Sequence, residues 1–230
     1  MSAEVPSVRP IEMRSVSEQV TNELRRSILN GALAPGQSLS LRTLAEMLNV
    51  SLIPVRDALR ALESEGLIVN PPGRSARVAD LDLDELHAVY RIRRLLEPEM
   101  ARGACPLLSE EELDELYALA TSLGAPDRNM DDIYDDHRAL HMALLRPAAT
   151  AWDERILTTL WRAAERYVRI GFGLLDPDPE EHARRREAHQ ELVDAFRRHD
   201  PDQAASALDQ HLVHNEELAA EVLRKKRSEA

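Results

Sequence analysis

The sequence predicts a mainly α protein, with an N-terminal winged helix-turn-helix and a C-terminal all-α bundle of about six helices. Three observations predict it. Helical periodicity followed by two short strand-like runs fills residues 16–80. Beyond Asp80 no strand signal follows, and capping residues and prolines divide the chain into helix-length pieces. The charge balance changes at the same place. Residues 11–80 hold eight arginines and eight carboxylates, whereas residues 81–230 carry the whole net charge of −12. Two stretches of different charge balance imply two domains with different partners. We place them at 11–80 and 81–230, behind a flexible tail at 1–10 that holds two prolines and no periodicity.

The elements follow in order. Val16, Val20, Leu24, Ile28 and Leu29 recur at helical spacing. That helix stops at Asn30-Gly31, with Pro35-Gly36 as a turn beyond it. Ser40 can cap a short helix over LRTLAEML that ends near Asn49. Ser51 caps a third helix, and Pro54 is tolerated there because its missing N–H falls in the first turn. Val55, Leu59 and Leu62 face inward, and Gly66 ends the helix. LIVN and ARVAD then read as two strands around Pro71-Pro72-Gly73, forming the wing. In the second half, Asp82 or Asp84 opens a helix through about Arg102. Ser109 with Glu112 is a capping box for the next, to about Leu123. Further helices cover about 130–146, 151–174, 179–199 and 201–226, separated at Pro126, Pro147, Pro177-Pro179 and Pro201.

Composition excludes several classes. No apolar run approaches the roughly 20 residues that span a bilayer, and MSAEVPSVRP lacks the apolar stretch of an export signal. Cys105 is alone, so no intrachain disulfide forms. These features predict a cytoplasmic protein with no membrane contact. HExxH, GxSxG, a phosphate-binding glycine loop and a CxxC pair are all absent from the sequence, so an enzyme is not expected.

The run LRRSILNGALAPGQSLSLRTLAEMLNVSLIPVRDALRALESEGLIV resembles the N-terminal domain of GntR-type bacterial transcription regulators. Its landmarks occur in one order: Leu24, Ile28, Gly31, Pro35-Gly36, Leu44-Ala45, Val50-Ser51, Pro54-Val55-Arg56, Leu62 and Glu65-Gly66-Leu67. The C-terminal part resembles the all-helical, FCD-type effector domain of the FadR subgroup, through Arg93 to Glu97, HRALHMALL, EAHQELVDAF and AASALDQHL. The resemblance covers about 11–220 and implies a homodimeric, ligand-responsive regulator, more often a repressor, that binds a pseudo-palindromic double-stranded DNA operator. By similarity, Arg42, Ser51, Arg56 and the wing-tip Gly73 are the DNA contacts. Arg56 lies about one turn into the reading helix, where an arginine can pair with guanine. The family usually has arginine where this chain has Leu52, and often a wing glycine where it has Ser75. Leu52 removes a charge-assisted contact and offers an apolar one to a thymine methyl, so an altered operator preference is expected.

Eight histidines are present. His137 and His141 are four apart, so one helix face presents both, while His189 and His211 lie on two later helices. Three helices can therefore deliver four imidazoles to one core, a donor set suited to zinc, nickel, copper or iron. Members of the FadR subgroup hold a metal with one Asp and three His. His137 stands at the Asp position here, and Asp136 beside it points about 100° away on a helix. The expectation is a four-histidine site for a divalent transition metal, zinc or nickel. His214 is a supporting candidate, and His87, His182 and His199 are expected at the surface. The resemblance places Arg93 in the effector pocket, where it would grip a small carboxylate. An ion pair with Glu97, four residues on, is the plain alternative. Arg162 and Arg166 are further cationic candidates. A metal-dependent enzyme in the helical domain and a helical interaction module that has lost DNA binding are the two other functions considered.

Overall fold

The computed structural model describes residues 15–126, 128–175 and 179–229. The tail at 1–10 lies outside them. The first helix, α1 (Val16–Leu29), opens with a capping box in which Ser15 Oγ accepts from Glu18 N–H and Glu18 accepts from Ser15 N–H. It ends where Gly31 adopts φ of +79°, a conformation that costs glycine little. Next come β1 (Ser38–Leu39), α2 (Leu41–Met47), α3 (Leu52–Ser64), β2 (Ile68–Val69) and β3 (Ala76–Val78). Val55, Ala58, Leu59 and Leu62 of α3 are buried with Val20, Leu24 and Ile28 of α1, and this apolar packing fixes the angle at which the opposite face of α3 is presented.

Two details differ from expectation. The wing sheet has three strands in the order β1-β3-β2, with Ser38 paired to Arg77 and Leu39 to Ala76. A two-residue strand carries no periodicity of its own, so only its partner reveals it. Ser51 occupies the cap position of α3 but its side chain makes no capping hydrogen bond. Its hydroxyl is thus not used to hold the helix end.

The helical domain comprises α4 (Leu83–Ala104), α5 (Glu110–Ser122), α6 (Met130–Leu145), α7 (Ala151–Leu175), α8 (Pro179–Arg197) and α9 (Pro201–Glu229). It has a hydrophobic core separate from that of the head, including Tyr90, Leu113, Leu144, Tyr167, Phe196 and Leu212. The expected boxed start of α5 is present, with Glu112 N–H donating to Ser109 Oγ at 3.3 Å and Ser109 N–H to Glu112 at 2.8 Å. Gly124 allows close approach of α8, because a Cβ there would lie 2.5 Å from the His182 carbonyl oxygen. His182 is therefore half-buried rather than at the surface as expected. Among the described residues no helix is long and apolar enough to cross a membrane.

Candidate functional site

Two places in the molecule gather the residues singled out in the sequence. The first is the outer face of α3. Leu52, Arg56 and Arg60 recur every fourth residue, and Ile53 lies three before Arg56, so all four share the face opposite the buried Val55, Ala58 and Leu62. A groove between this face and the wing is lined by Arg42, Arg56, Arg60, Gly73 and Arg74. Ser51 and Leu52 line an adjoining hollow together with Arg42. Arg42, Ser51, Leu52, Arg56 and Gly73 thus come together on one side of the head. Gly73 has φ of +71°, and a Cβ there would meet nothing within 4 Å. The backbone conformation, rather than crowding within the chain, is what calls for glycine.

The zero net charge of the head conceals a sorting of its arginines. Arg25 donates to Glu65 at 2.8 and 2.7 Å, Arg77 pairs with Asp80, and Arg26 reaches Asp131 at 3.5 Å. Among the described residues, Arg42, Arg56, Arg60 and Arg74 have no carboxylate within ion-pairing distance. An unneutralised cationic groove beside a helix narrow enough for the major groove suits a nucleic-acid backbone. Arg60 and Arg74 were missed in the sequence reading. Arg60 could have been found by its four-residue spacing from Arg56, and Arg74 by its place at the wing tip.

The second place is inside the helical bundle. His137 and His141 from α6, His189 from α8 and His211 from α9 are all buried, and one ligand atom from each lies within 4.8 Å of the others. His189 donates from Nδ1 to the Arg185 carbonyl oxygen at 2.6 Å, which leaves its Nε2 lone pair toward the cluster. Asn215 Nδ2 lies 3.0 Å from His211 Nε2. Neither nitrogen of His141 nor Nε2 of His189 has a hydrogen-bond partner among the described residues. Such buried orphan atoms are costly unless something else meets them. Asp136 points away and pairs with Arg128 at 2.7 Å. His214 is exposed and outside the cluster, against the supporting role considered for it. His87 and His199 are exposed, paired with Glu216 and Glu110.

Burial, reinforced by the neighbouring histidines and Arg93, holds His137, His141 and His211 well below the ordinary imidazole range. Burial also brings His189 down to about 4. Four neutral imidazoles with lone pairs converging are a fitting donor set for a transition metal. The farthest pair, 4.8 Å apart, must close by about 1.4 Å to reach the roughly 3.4 Å between tetrahedral ligands with bonds of about 2.1 Å. The same depression has a consequence for the metal-free chain. Its folded form keeps these rings neutral, while the unfolded form takes up protons as pH falls below about 6.5. Stability is therefore full above that pH and lost progressively toward about 4, where His189 itself titrates. Thermal melts of chelator-treated protein should show a falling Tm across this window, and a flat profile would contradict the neutral cluster.

Arg93 forms the ion pair with Glu97 that the sequence offered as its plain alternative. Its Nε donates to Glu97 at 2.5 Å, and both side chains are buried. Its guanidinium also stacks on Trp161, 4.1 Å from the ring centroid, and Trp161 in turn lies 5.0 Å from His141 and 5.4 Å from His137. Trp161 Nε1 and the Tyr90 hydroxyl are buried with no hydrogen-bond partner among the described residues. Arg162 and Arg166 are placed elsewhere. Arg162 approaches Glu65 of the head at 3.7 Å. Arg166 pairs with Glu85 and donates to the carbonyl oxygens of Gly66 and Asp80 at 3.3 and 3.4 Å. Both residues tie α7 to the head rather than lining the pocket, because they lie on the side of α7 turned toward it.

The family model described as "Bacterial regulatory proteins, gntR family" matches residues 16–78, and the FCD domain model matches residues 88–214. Among curated proteins, the chain is 31% identical over 227 residues to the HTH-type transcriptional repressor NanR of Escherichia coli, covering 89% of this chain and 84% of the relative. It is 28% identical over 204 residues to the HTH-type transcriptional repressor RspR of Escherichia coli, covering 86% of each. Among solved structures, Escherichia coli McbR/YncC superposes with a TM-score of 0.75 at 25% identity, covering 93% of this chain and 100% of the other. A GntR regulator from Rhodococcus sp. RHA1 shares the fold at a TM-score of 0.72 and 22% identity, covering 90% of this chain and 97% of the other.

Proposed function

The chain belongs to the gntR family of bacterial regulatory proteins and carries an FCD domain, and on that premise we propose that it is a metal-containing, ligand-responsive repressor acting as a homodimer. It is a DNA-binding transcription regulator, as its relatives are, and its relatives and fold are not those of enzymes. In our reading Arg42, Ser51, Leu52, Arg56 and Gly73 contact a pseudo-palindromic operator in the cytoplasm. His137, His141, His189 and His211 would hold a divalent transition metal, zinc or nickel, which would supply Lewis acidity toward an effector oxygen. Arg93 orients a small carboxylate beside it.

One observation carries the coupling between these sites. The helices that build the histidine cluster also hold the head. On α6, His137 and His141 lie on the same helix as Asp131, which pairs with Arg26 of α1 and Arg169 of α7. On α7, Trp161 packs on the histidines while Arg166 bonds the carbonyls of Gly66 and Asp80, where the head joins the bundle. A ligand that favours one placement of α6 and α7 therefore favours one placement of the head. The test is operator affinity of the metal-loaded protein against a panel of small carboxylates. Our reading expects a carboxylate that binds calorimetrically to release the operator, and to lose that effect in Arg166→Ala. An effector that binds and leaves operator affinity unchanged would refute it.

The dimer contact is assigned to α4 and α7. These helices pack together, with Arg93 on Trp161, and they expose Leu95 at 72% and Trp152 at 69%, with Ile92 and Ile156 nearby on the same helices. Exposed large apolar side chains on adjoining helices are the composition of an interface core. Leu95→Glu is expected to convert the dimer to monomer in analytical ultracentrifugation and to weaken operator binding. A dimer of unchanged stability would remove this face from consideration.

A further inference from the structure

The leading turn of α3 exposes two branched apolar side chains toward the side where the family binds DNA. Leu52 is 44% and Ile53 67% exposed, and neither belongs to the core of the head, which takes Val55, Ala58, Leu59 and Leu62 instead. Exposed Leu and Ile side by side contribute nothing to folding of a small head and would favour self-association if left in water. They share one face with Arg56 and Arg60, and Leu52 lines the hollow with Arg42 and Ser51, next to the groove that reaches Gly73 and Arg74. With Arg42, Arg60 and Arg74 placed to hold phosphates, Leu52 and Ile53 would meet the floor of the DNA groove, which consists of base edges. The one apolar group there is the C5-methyl of thymine.

We propose that Leu52 and Ile53 are specificity-determining residues that read thymine methyl groups flanking a base pair read by Arg56. The half-site then contains a guanine contacted by Arg56 and, toward the N-terminal end of α3, one or two thymines selected by apolar contact. This deepens the DNA-binding assignment by naming the chemistry that selects the operator. Leu52 in this account is a changed reader and not a lost contact.

The test uses the full chain and a pool of duplexes with a randomised segment of about 20 base pairs, long enough for two half-sites. The recovered consensus duplex is then synthesised with each thymine in turn replaced by deoxyuridine, which removes only the methyl. Kd is measured at one fixed salt concentration. Wild type should lose about fourfold per contacted methyl, the worth of one buried carbon. Leu52→Ala and Ile53→Ala should each lose the methyl dependence at the thymine that the shortened residue contacts, and both variants keep the fold because the side chains they shorten are exposed. Leu52→Arg should shift preference at that base pair toward guanine by about tenfold or more. A consensus without thymine beside the guanine would overturn the proposal. So would wild-type affinity that is indifferent to every methyl, or dependence on one and the same methyl that persists undiminished in both alanine variants. Loss of binding to the pool in Arg56→Ala reports on DNA reading by α3 itself, so the two assignments fail separately.

Discussion

His141→Ala is expected to abolish stable metal uptake by the chain while leaving the head able to bind DNA. His141 lies 4.7, 5.5 and 4.9 Å from the rings of His137, His189 and His211, so its removal opens the middle of the cluster. Three nitrogens remain, held by two helices besides α6, and affinity should fall by at least about a hundredfold, more than the loss of an outer-sphere partner. Metal analysis after desalting should read about one ion per wild-type chain and almost none in the variant. Saturating zinc or nickel at about 1,000 times Kd should stabilise wild type by about 4 kcal/mol, a gain the variant lacks. The substitution removes a neutral ring, so no uncompensated charge is left in the core, and circular dichroism should report an intact bundle. His214→Ala, on the exposed side of α9, should keep the full complement and serves as the control. Full metal stoichiometry in His141→Ala would refute the four-histidine centre.

Arg56→Ala should weaken operator binding by about 1–3 kcal/mol, and the loss should concentrate on one base pair of each half-site. Arg56 stands on the exposed face of α3 and lines the groove beside the wing, with no carboxylate partner among the described residues to compete for it. Its guanidinium is therefore available at no cost in broken ion pairs. Arg60 lies one turn further along and lines the same groove beside the wing. Arg60→Ala should weaken all sequences alike and reduce the salt slope by about one, the signature of a phosphate contact. Fluorescence anisotropy on the consensus duplex and on single-base variants, at several salt concentrations, separates the two. Equal, sequence-independent losses in both variants would deny Arg56 a reading role.

How far these sites were legible in the sequence depends on whether a feature is local. The head was read almost completely, because its helix ends and wing turn are marked by residues whose local conformation dictates them: Gly31, Gly66 and Gly73 all adopt positive φ. The pair His137 and His141 was legible for the same reason, since four residues make one helix face. Their convergence with His189 and His211 was not a matter of spacing, and it took the family resemblance to suggest it. Strand β1 escaped because pairing with β3, 37 residues away, is what makes it a strand. Arg162 and Arg166, considered only as further cationic candidates, are found at the junction with the head. Trp161 and Arg162 are neighbours in sequence yet about 100° apart on α7, and no sequence pattern tells which face meets which domain. His182 failed likewise, because its burial depends on the absent side chain of Gly124 across the α5–α8 contact.

The most direct test of the account is retention of genomic DNA. Fragments of the source genome would be captured at moderate salt by the metal-loaded full chain and by its Arg56→Ala variant, then sequenced. The account predicts that wild type enriches fragments sharing a short pseudo-palindrome with thymine beside guanine in each half-site, and that the variant loses them. Capture of the same fragments by both proteins, or of fragments with no shared element by metal-loaded and chelated wild type alike, would contradict it.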